Sequence, residues 1–182
     1  YARARNLHAC ARVVAEQHGG KFPSSELELR KLPGIGDYTA AAIAAIAFDH
    51  RHAAVDGNVE RVISRIHAIE TPLPQSKSEI RRIAEALVPM RRAGDFAQAM
   101  MDLGAMVCTP RRPSCLMCPL HRRCEGFGLG IEANLPVKAG KAARPERFGH
   151  AFLALREDGH VLLRQRPDQG LLARMIEVPS SE

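Results

Sequence analysis

The sequence predicts a mainly α-helical protein that is followed by the start of a smaller α/β domain. Over residues 1–130, apolar residues recur at helical spacing, and Gly and Pro separate the segments. Near residue 135 the pattern changes to a stretch rich in Lys, Ala, Gly and Pro, with strand-like runs after it. The 182 residues are 46% hydrophobic and 25% charged, the balance of an ordinary folded protein.

The helical region begins with a basic amphipathic helix that stops at Gly19 and Gly20. Ser25 and Ser76 each stand three residues before a Glu, which is the pattern of a capping box at a helix N-terminus. The i, i+3, i+4, i+7 spacing that starts at Val59 indicates a helix with one buried face. Helices are predicted over residues 2–18, 25–31, 38–48, 57–69, 76–89 and 96–107.

The C-terminal region is predicted to form strands. Residues 148–155 and 160–164 are strand-like, and Asp158 and Gly159 between them are typical of a β-hairpin turn. The predicted organisation is a helical domain over residues 1–130, a linker over residues 131–146, and the beginning of an α/β domain over residues 147–182.

The net charge of +6 suits a polyanionic partner, because Lys and Arg placed at phosphates release counterions. A basic protein without such a partner is the alternative. Apolar runs are too short to cross a membrane, and no signal peptide is visible, so we expect a cytoplasmic protein without a membrane partner. We also expect a monomer. The chain has no initiator Met and stops just after an apolar run, so we expect a fragment.

Four of the five cysteines fall on one short loop with the spacing C-x6-C-x2-C-x5-C. In a chain without a secretion signal, this density indicates a metal site, with unrelated free thiols as the alternative. Spacing alone slightly favours zinc over an iron–sulfur cluster. Arg111 and Arg112 on the loop are candidate phosphate-binding residues. The alternative is that they are solvated surface charges. The candidate metal ligands are Cys108, Cys115, Cys118 and Cys124.

A tight glycine-containing turn precedes the helix predicted at residue 38. The first N–H groups of a helix have no intrahelical partner, so this turn is a candidate phosphate site, and an ordinary capped turn is the alternative. The candidate DNA-binding residues of this turn are Leu32, Pro33, Gly34, Ile35 and Gly36.

Asp56 stands directly before another predicted helix. A lone Asp there is ordinarily an N-cap. The functional alternative is a carboxylate held in a cleft beside DNA, where Gly57 would let a ligand come close.

The three elements, in this order and at these separations, resemble the helix-hairpin-helix DNA glycosylases. The cysteine spacing matches the loop of their iron–sulfur branch at every position. Residues 1–8, 20–23, 55–59 and 98–106 are similar to the MutY-type adenine DNA glycosylases within that branch. The resemblance covers nearly the whole chain, and it shifts the expected metal group from zinc to a [4Fe–4S] cluster.

The resemblance implies base-excision repair. The substrate would be double-stranded DNA in which adenine is mispaired with 8-oxoguanine or guanine, and Asp56 would stabilise the sugar cation. Tyr38 would hydrogen-bond near Asp56 and position it, and Asn58 would hold Asp56 or a water. The endonuclease III relatives carry a Lys at position 38; a phenol cannot form a Schiff base, so a monofunctional glycosylase is expected.

The resemblance also carries expectations about the rest of the protein. The family's general acid is a Glu upstream of Tyr1, so we expect this chain alone to be inactive. The region from Phe148 onward resembles the beginning of a Nudix-like domain that recognises 8-oxoguanine, although residues 174–176 depart from the family pattern. The alternatives are a non-catalytic DNA-binding module with a four-cysteine metal site, and an endonuclease III-type enzyme. A bacterial protein acting on nucleoid DNA is expected.

Overall fold

The structure is a computed structural model that describes residues 2–140, 145–146 and 148–181. It divides into two compact units. The helical unit is Leu7–Gly140, and the second unit combines Tyr1–Asn6 with Lys141–Glu182. Residues 141–144 of the predicted linker lie outside the described residues, and the predicted domain boundaries stay a prediction.

The helical unit is built from short helices, so the mainly helical fold class is confirmed. The main helices are α1 (Ala2–Gln17, which starts in the second unit), α2 (Glu26–Leu29), α3 (Asp37–Phe48), α4 (Gly57–Ile66), α5 (Lys77–Leu87) and α6 (Ala93–Asp102). A π-helical turn, Leu103–Val107, continues α6, and α7 (Glu125–Gly128) lies between the 3₁₀ turns Cys115–Met117, His121–Arg123 and Glu132–Asn134.

Three helical predictions differ from the structure at their ends. The predicted helix 57–69 ends at Ile66, and Ala68 beyond it has a positive φ of 46°. The predicted helix 96–107 begins earlier, at Ala93, and widens into a π turn at Leu103. The capping box predicted at Ser76 is wrong, because the Ser76 side chain makes no cap hydrogen bond and its oxygen is buried without a partner.

The main core forms where the apolar face of α4 packs on α5. Val62, Ile63 and Ile80 are almost completely buried, as the helical spacing predicts. Burial of side chains of this size stabilises the fold by roughly 1.5–3 kcal/mol each. The α4 helix is therefore held firmly, and its two ends carry the candidate site.

The alanine-rich helix α3 forms the centre of two smaller clusters. Its small side chains allow another backbone to come close, and α6 packs against it. At Gly94 of α6, a Cβ atom would lie only 2.8 Å from the Ala45 carbonyl oxygen. On the side of α1, Cys10 and Leu29 are buried with α3, as expected for Cys10 as a small apolar residue.

The segment after α7 returns to the helical unit. Leu135 is buried, and the Leu73 N–H donates to the Val137 carbonyl at 2.8 Å. The Ala139 N–H donates to the Leu73 carbonyl at 3.1 Å. The first half of the predicted linker is therefore hydrogen-bonded to the helical unit.

The second unit has little regular structure in its described part. The predicted turn at Asp158 forms, with an isolated bridge between Leu155 and Val161, but the flanking strands are not regular. The antiparallel pair is instead β1 (Arg164–Gln165) with β2 (Ile176–Glu177). Many large apolar side chains of this unit are exposed, including Phe148 at 86%. Among the described residues, no helix is long and apolar enough to cross a bilayer.

Candidate functional site

The predicted glycine hairpin forms between α2 and α3. Gly34 adopts a positive φ of 77°, which favours glycine because it has no Cβ. Gly36 is the N-cap of α3 in an extended conformation, so only one of the two glycines is needed for the turn itself. The side chain of Leu32 is buried in the core, and Ile35 packs partly against the same cluster.

The hairpin presents backbone rather than side chains to the outside. Gly34 and Gly36 are exposed, and Gly36 gives α3 no side-chain cap. First-turn N–H groups of an uncapped helix form a ready site for an anion. The structure therefore leaves the backbone at Gly34 and Gly36, and not Leu32, as the surface that a phosphate would meet.

The carboxylate of Asp56 caps helix α4. Its Oδ1 atom accepts hydrogen bonds from the backbone N–H groups of Asn58 and Val59, both at 2.8 Å. The Asn58 side-chain amide donates to Oδ2 at 3.1 Å. Asp56 is half-buried and does not enter the helical core. The ordinary role of an N-cap is thus fulfilled, and the same bonds fix the orientation of the carboxylate.

Tyr38 makes its side-chain hydrogen bond to Met101 and not to Asp56, and its role in positioning Asp56 stays a prediction. Its hydroxyl donates to the Met101 sulfur at 3.6 Å. Partial burial raises the pKa of Tyr38 above 10.0, and the negative charge of Asp56 adds to the rise. The Asp56 charge therefore disfavours the tyrosinate, and the phenol is kept in its neutral form.

Asn58 connects Asp56 to a buried arginine. The Asn58 Oδ1 atom accepts from Nη2 of Arg61 at 2.8 Å, and the same nitrogen donates to the Gly104 carbonyl at 2.6 Å. The Arg61 Nε atom donates to the Cys108 carbonyl at 2.7 Å. Burial lowers the pKa of Arg61 from its ordinary value. Arg61 thus joins the first turn of α4 to the start of the cysteine loop.

Arg65, one turn further along α4, holds the cysteine loop from inside. It is only 1% exposed. Its Nη1 atom lies 3.3 Å from the Cys108 sulfur and donates to the Thr109 carbonyl at 2.8 Å. Its Nε atom donates to the Leu135 carbonyl at 3.1 Å, and the Cys124 thiol donates to the Arg65 carbonyl at 3.3 Å. Arg65 therefore contacts both ends of the loop, with its guanidinium at Cys108 and with its main-chain carbonyl at Cys124.

The four loop cysteines line one cavity beside α4. None of them forms a disulfide, and each is half-buried. Burial raises the pKa of the Cys115 and Cys124 thiols, and neighbouring cysteines add to both rises. The remaining wall is largely apolar and includes Val62, Ile66 and Phe127.

The spacing of these side chains does not form a compact single-ion site. Within the described residues, no three Cys, His, Asp or Glu side chains are grouped so that they could hold one metal ion. Zinc with Zn–S bonds of about 2.3 Å needs its ligands that close together. The thiols instead surround a larger apolar space. Beside it α7 packs closely on α4, because a Cβ on Gly126 would lie 2.6 Å from the Arg65 carbonyl.

Arg111 and Arg112 are exposed on the loop between Cys108 and Cys115. Their carbonyl groups accept from the Thr109 hydroxyl, at 2.9 and 3.4 Å. Their backbone is thus ordered by a local turn, and their role toward phosphate stays a prediction.

Tyr38 also lines a polar cavity, together with Arg30, Asp37, Arg81 and Glu85. Asp37 there accepts ion pairs from Arg30 at 2.8 Å and from Arg81 at 3.4 Å. The Glu85 carboxylate accepts from the Ala53 N–H at 3.1 Å. The charges of Asp37, Arg30 and Arg81 are therefore largely neutralised by ion pairing within this cavity.

The structure brings Asp56 and Asn58 into contact and places Tyr38 where the Asp56 charge affects its pKa. It also gathers the four cysteines around one cavity. Sequence reasoning missed Met101 and the structural roles of Arg61 and Arg65. The sequence did contain a signal for the two arginines. They are four residues apart and lie beside the buried Val62, so both side chains belong to the buried side of α4.

A model of the "Helix-hairpin-helix motif" matches residues 17–46. The adenine DNA glycosylase of Mus musculus is 36% identical over 99% of this chain and 44% of its own length. That of Schizosaccharomyces pombe is 40% identical over 100% of this chain and 49% of its length. The chain thus spans about half the length of these relatives.

Two solved structures share the fold. A thermostable thymine-DNA glycosylase matches with a TM-score of 0.61 and 35% identity, over 69% of this chain and 58% of its own. A non-covalent endonuclease III–DNA complex matches with a TM-score of 0.59 and 28% identity, over 71% and 60%. The chain therefore shares a helix-hairpin-helix fold with solved DNA glycosylases. Along nearly its whole length it is similar in sequence to adenine DNA glycosylases.

Proposed function

We propose that the protein containing this sequence is a monofunctional adenine DNA glycosylase of base-excision repair. It hydrolyses the N-glycosidic bond of adenine mispaired with 8-oxoguanine or guanine in double-stranded DNA. The observation that carries this proposal is the half-buried Asp56 carboxylate, fixed by two backbone N–H groups and one amide beside a neutral phenol. The similarity to adenine DNA glycosylases over the whole chain supports it.

The chemistry follows from the cation that forms when adenine leaves. The target nucleotide is extruded from the duplex, and adenine, protonated on a ring nitrogen, leaves with the electron pair of the broken bond. The sugar becomes oxocarbenium-like, and a water then adds to its anomeric carbon and loses a proton. A carboxylate already held in one orientation stabilises that charge without reorganising. Asp56 supplies this carboxylate, Asn58 holds it, and Tyr38 closes the site beside it.

Tyr38 sets the reaction type. Lyase activity through an imine requires an amine nucleophile, which a phenol cannot provide. We therefore propose simple base hydrolysis without strand cleavage. Treatment with borohydride during the reaction should trap no covalent complex with DNA, and a trapped imine would assign the protein to the endonuclease III type instead.

Asp56→Asn in the protein containing this sequence tests the catalytic role directly. Asn caps a helix nearly as well as Asp, so the change removes the charge and keeps the cap. Single-turnover adenine release from an A·8-oxoguanine duplex should be lost while the duplex is still bound. Release at the wild-type rate would contradict the proposal.

We further propose that the four cysteines hold a [4Fe–4S] cluster. The fit rests on four thiols around one largely apolar cavity, with the Arg65 cation 3.3 Å from the Cys108 sulfur. When bound, the cluster ties together the loop that carries Arg111 and Arg112. Those side chains and the amides at Gly34 and Gly36 are the proposed phosphate contacts.

Visible absorbance and metal analysis show whether the four cysteines hold an iron–sulfur cluster or zinc. The protein should be brown, with about four iron atoms per chain, and Cys118→Ser should lose the colour. Cys10→Ala, a change at the buried cysteine outside the loop, should keep it. Colourless protein that contains zinc would overturn the cluster assignment.

Recognition of the opposite base is the remaining part of the proposal. We assign 8-oxoguanine recognition to a Nudix-like domain that begins with residues 147–182, and we place the enzyme, as a monomer, in the bacterial cytoplasm. Binding of A·8-oxoguanine and A·T duplexes should differ for the protein as a whole. Equal affinity for both would contradict this assignment.

One observation favours a second candidate function. Because Asp56 makes every bond of an ordinary N-cap, a DNA-binding module without catalysis would look the same at this position. Such a module would bind duplex DNA through the hairpin and release no base, and Asp56→Asn would then change neither property.

A further inference from the structure

Gly104 lies where the turn after α6 meets the first turn of α4. It is buried, and a Cβ atom at this position would lie 2.6 Å from the Asn58 Cβ and 3.1 Å from its Cα. Real Cβ atoms essentially never approach another atom so closely, so any side chain at position 104 must displace Asn58. The Asn58 backbone and amide both bond to Asp56.

The π-helical turn gives Gly104 a second contact with the same residue. In a regular α-helix the Gly104 carbonyl would accept the N–H of residue 108. Here the Cys108 N–H bonds instead to the Leu103 carbonyl, at 2.7 Å. The Gly104 carbonyl is thereby free to accept from Arg61 Nη2 at 2.6 Å, and that nitrogen also donates to Asn58 at 2.8 Å.

We infer that Gly104 is a positioning residue that sets the Asp56 carboxylate through Asn58. The missing side chain lets Asn58 approach, and the carbonyl released by the π turn holds Arg61 against the Asn58 amide. The inference rests on the proposed function. It gives the π turn a role in the site, because a regular α-helix would keep the Gly104 carbonyl bonded within the helix.

Gly104→Ala in the protein containing this sequence tests the inference, and Gly94→Ala is its matched control. Both changes put a Cβ under 3.0 Å from a neighbour, but Gly94 abuts the Ala45 carbonyl rather than Asn58. Both variants should melt at lower temperature. At a temperature where both are folded, Gly104→Ala should slow single-turnover adenine release about 100-fold, as displacement of a reacting group does.

The control should keep the wild-type rate to within about threefold, because its reacting geometry is unchanged. Duplex binding should be retained in both. The backbone amide resonances of Asn58 and Val59 should shift in Gly104→Ala and stay in place in Gly94→Ala. Equal rates in the two variants, or unmoved Asn58 and Val59 resonances in Gly104→Ala, would overturn the inference.

Two further measurements keep the outcome decisive. If Gly104→Ala does not fold alone, it is combined with Asn58→Gly, which removes the opposing Cβ. The double variant should then fold and show a melting transition, and a double variant that also fails to fold would overturn the inference. If the wild-type protein releases no adenine, the proposed function fails, and the amide resonances alone decide the role of Gly104.

Discussion

The two ends of helix α4 hold their partners in opposite ways. At the N-terminal end, the helix's own N–H groups orient the Asp56 carboxylate, with help from one neighbouring amide. At the C-terminal end, the buried guanidinium of Arg65 reaches out to orient a loop of cysteines. One end is fixed by local backbone geometry, and the other depends on contacts distant in sequence. The Asp56 end should therefore keep its geometry when the Arg65 contacts are lost. The Arg65 end should be more sensitive to loss of the Asp56 cap.

The largest expected effect concerns the N-terminal end. Asp56→Asn should lower the rate of adenine release by roughly 1000-fold, the scale of losing one preorganised electrostatic group. The free energy of unfolding should change by about 1 kcal/mol, since Asn is an equally good cap but its amide nitrogen cannot accept from the Asn58 amide. Single-turnover kinetics and urea denaturation measure the two. A large loss of stability would show that the two ends do not differ as described.

The next effect concerns the C-terminal end. Arg65→Met fills the same space but leaves buried carbonyl groups without a donor, and should reduce the free energy of unfolding by roughly 3 kcal/mol. Iron content should fall with it. Arg12→Met, at an exposed ion pair with Glu16, should change the free energy by less than about 0.5 kcal/mol. Urea denaturation that shows equal effects would contradict the role given to Arg65.

A smaller effect is expected away from both ends. Asp37→Asn removes two half-exposed ion pairs, to Arg30 and Arg81. Pairs of this kind contribute at most about 1 kcal/mol, and salt screens them. The stability difference from wild type should shrink as NaCl is added. A difference that is independent of salt would indicate that Asp37 acts through something other than charge.

The smallest effect sharpens the description of the N-terminal end. Asp56→Asn should lower the raised pKa of Tyr38, but only partly, because burial is the larger cause. The folded state keeps this proton to higher pH than the unfolded state does. Its contribution to stability is therefore complete below pH 10.0 and is lost as pH rises through the folded pKa.

Tyrosinate absorbance checks this titration. The chain has only two tyrosines, so a Tyr1→Phe background leaves Tyr38 as the reporter. The same pKa with and without the Asp56 charge would show that the two side chains do not sense each other.

The sequence predicted the features that depend on neighbours in the chain. The turn at Gly34, the cap at Asp56 and the buried face of α4 each follow from a few consecutive residues, and each is present. The capping box at Ser76 failed although its pattern was correct. Its backbone is helical there rather than extended, so the side chain does not reach the N–H groups.

The features that were missed depend on contacts across the fold. The bond from Tyr38 to Met101 joins residues 63 positions apart, and the carbonyl released by the π turn binds Arg61, 43 positions away. No local pattern encodes these pairings. The inward position of Arg65 was visible in its spacing with Arg61. Its partners, however, are carbonyl groups, which every residue has, so the sequence could not name them.

The contact at Gly126 has a consequence for inherited variation in this protein family. A Cβ there would come within 2.6 Å of the Arg65 carbonyl, so even the smallest substitution pushes against main chain that cannot rotate away. Any single-nucleotide missense change in that codon introduces a side chain. In a saturation library selected for folded protein, position 126 should therefore return almost no survivors, although it carries no functional group.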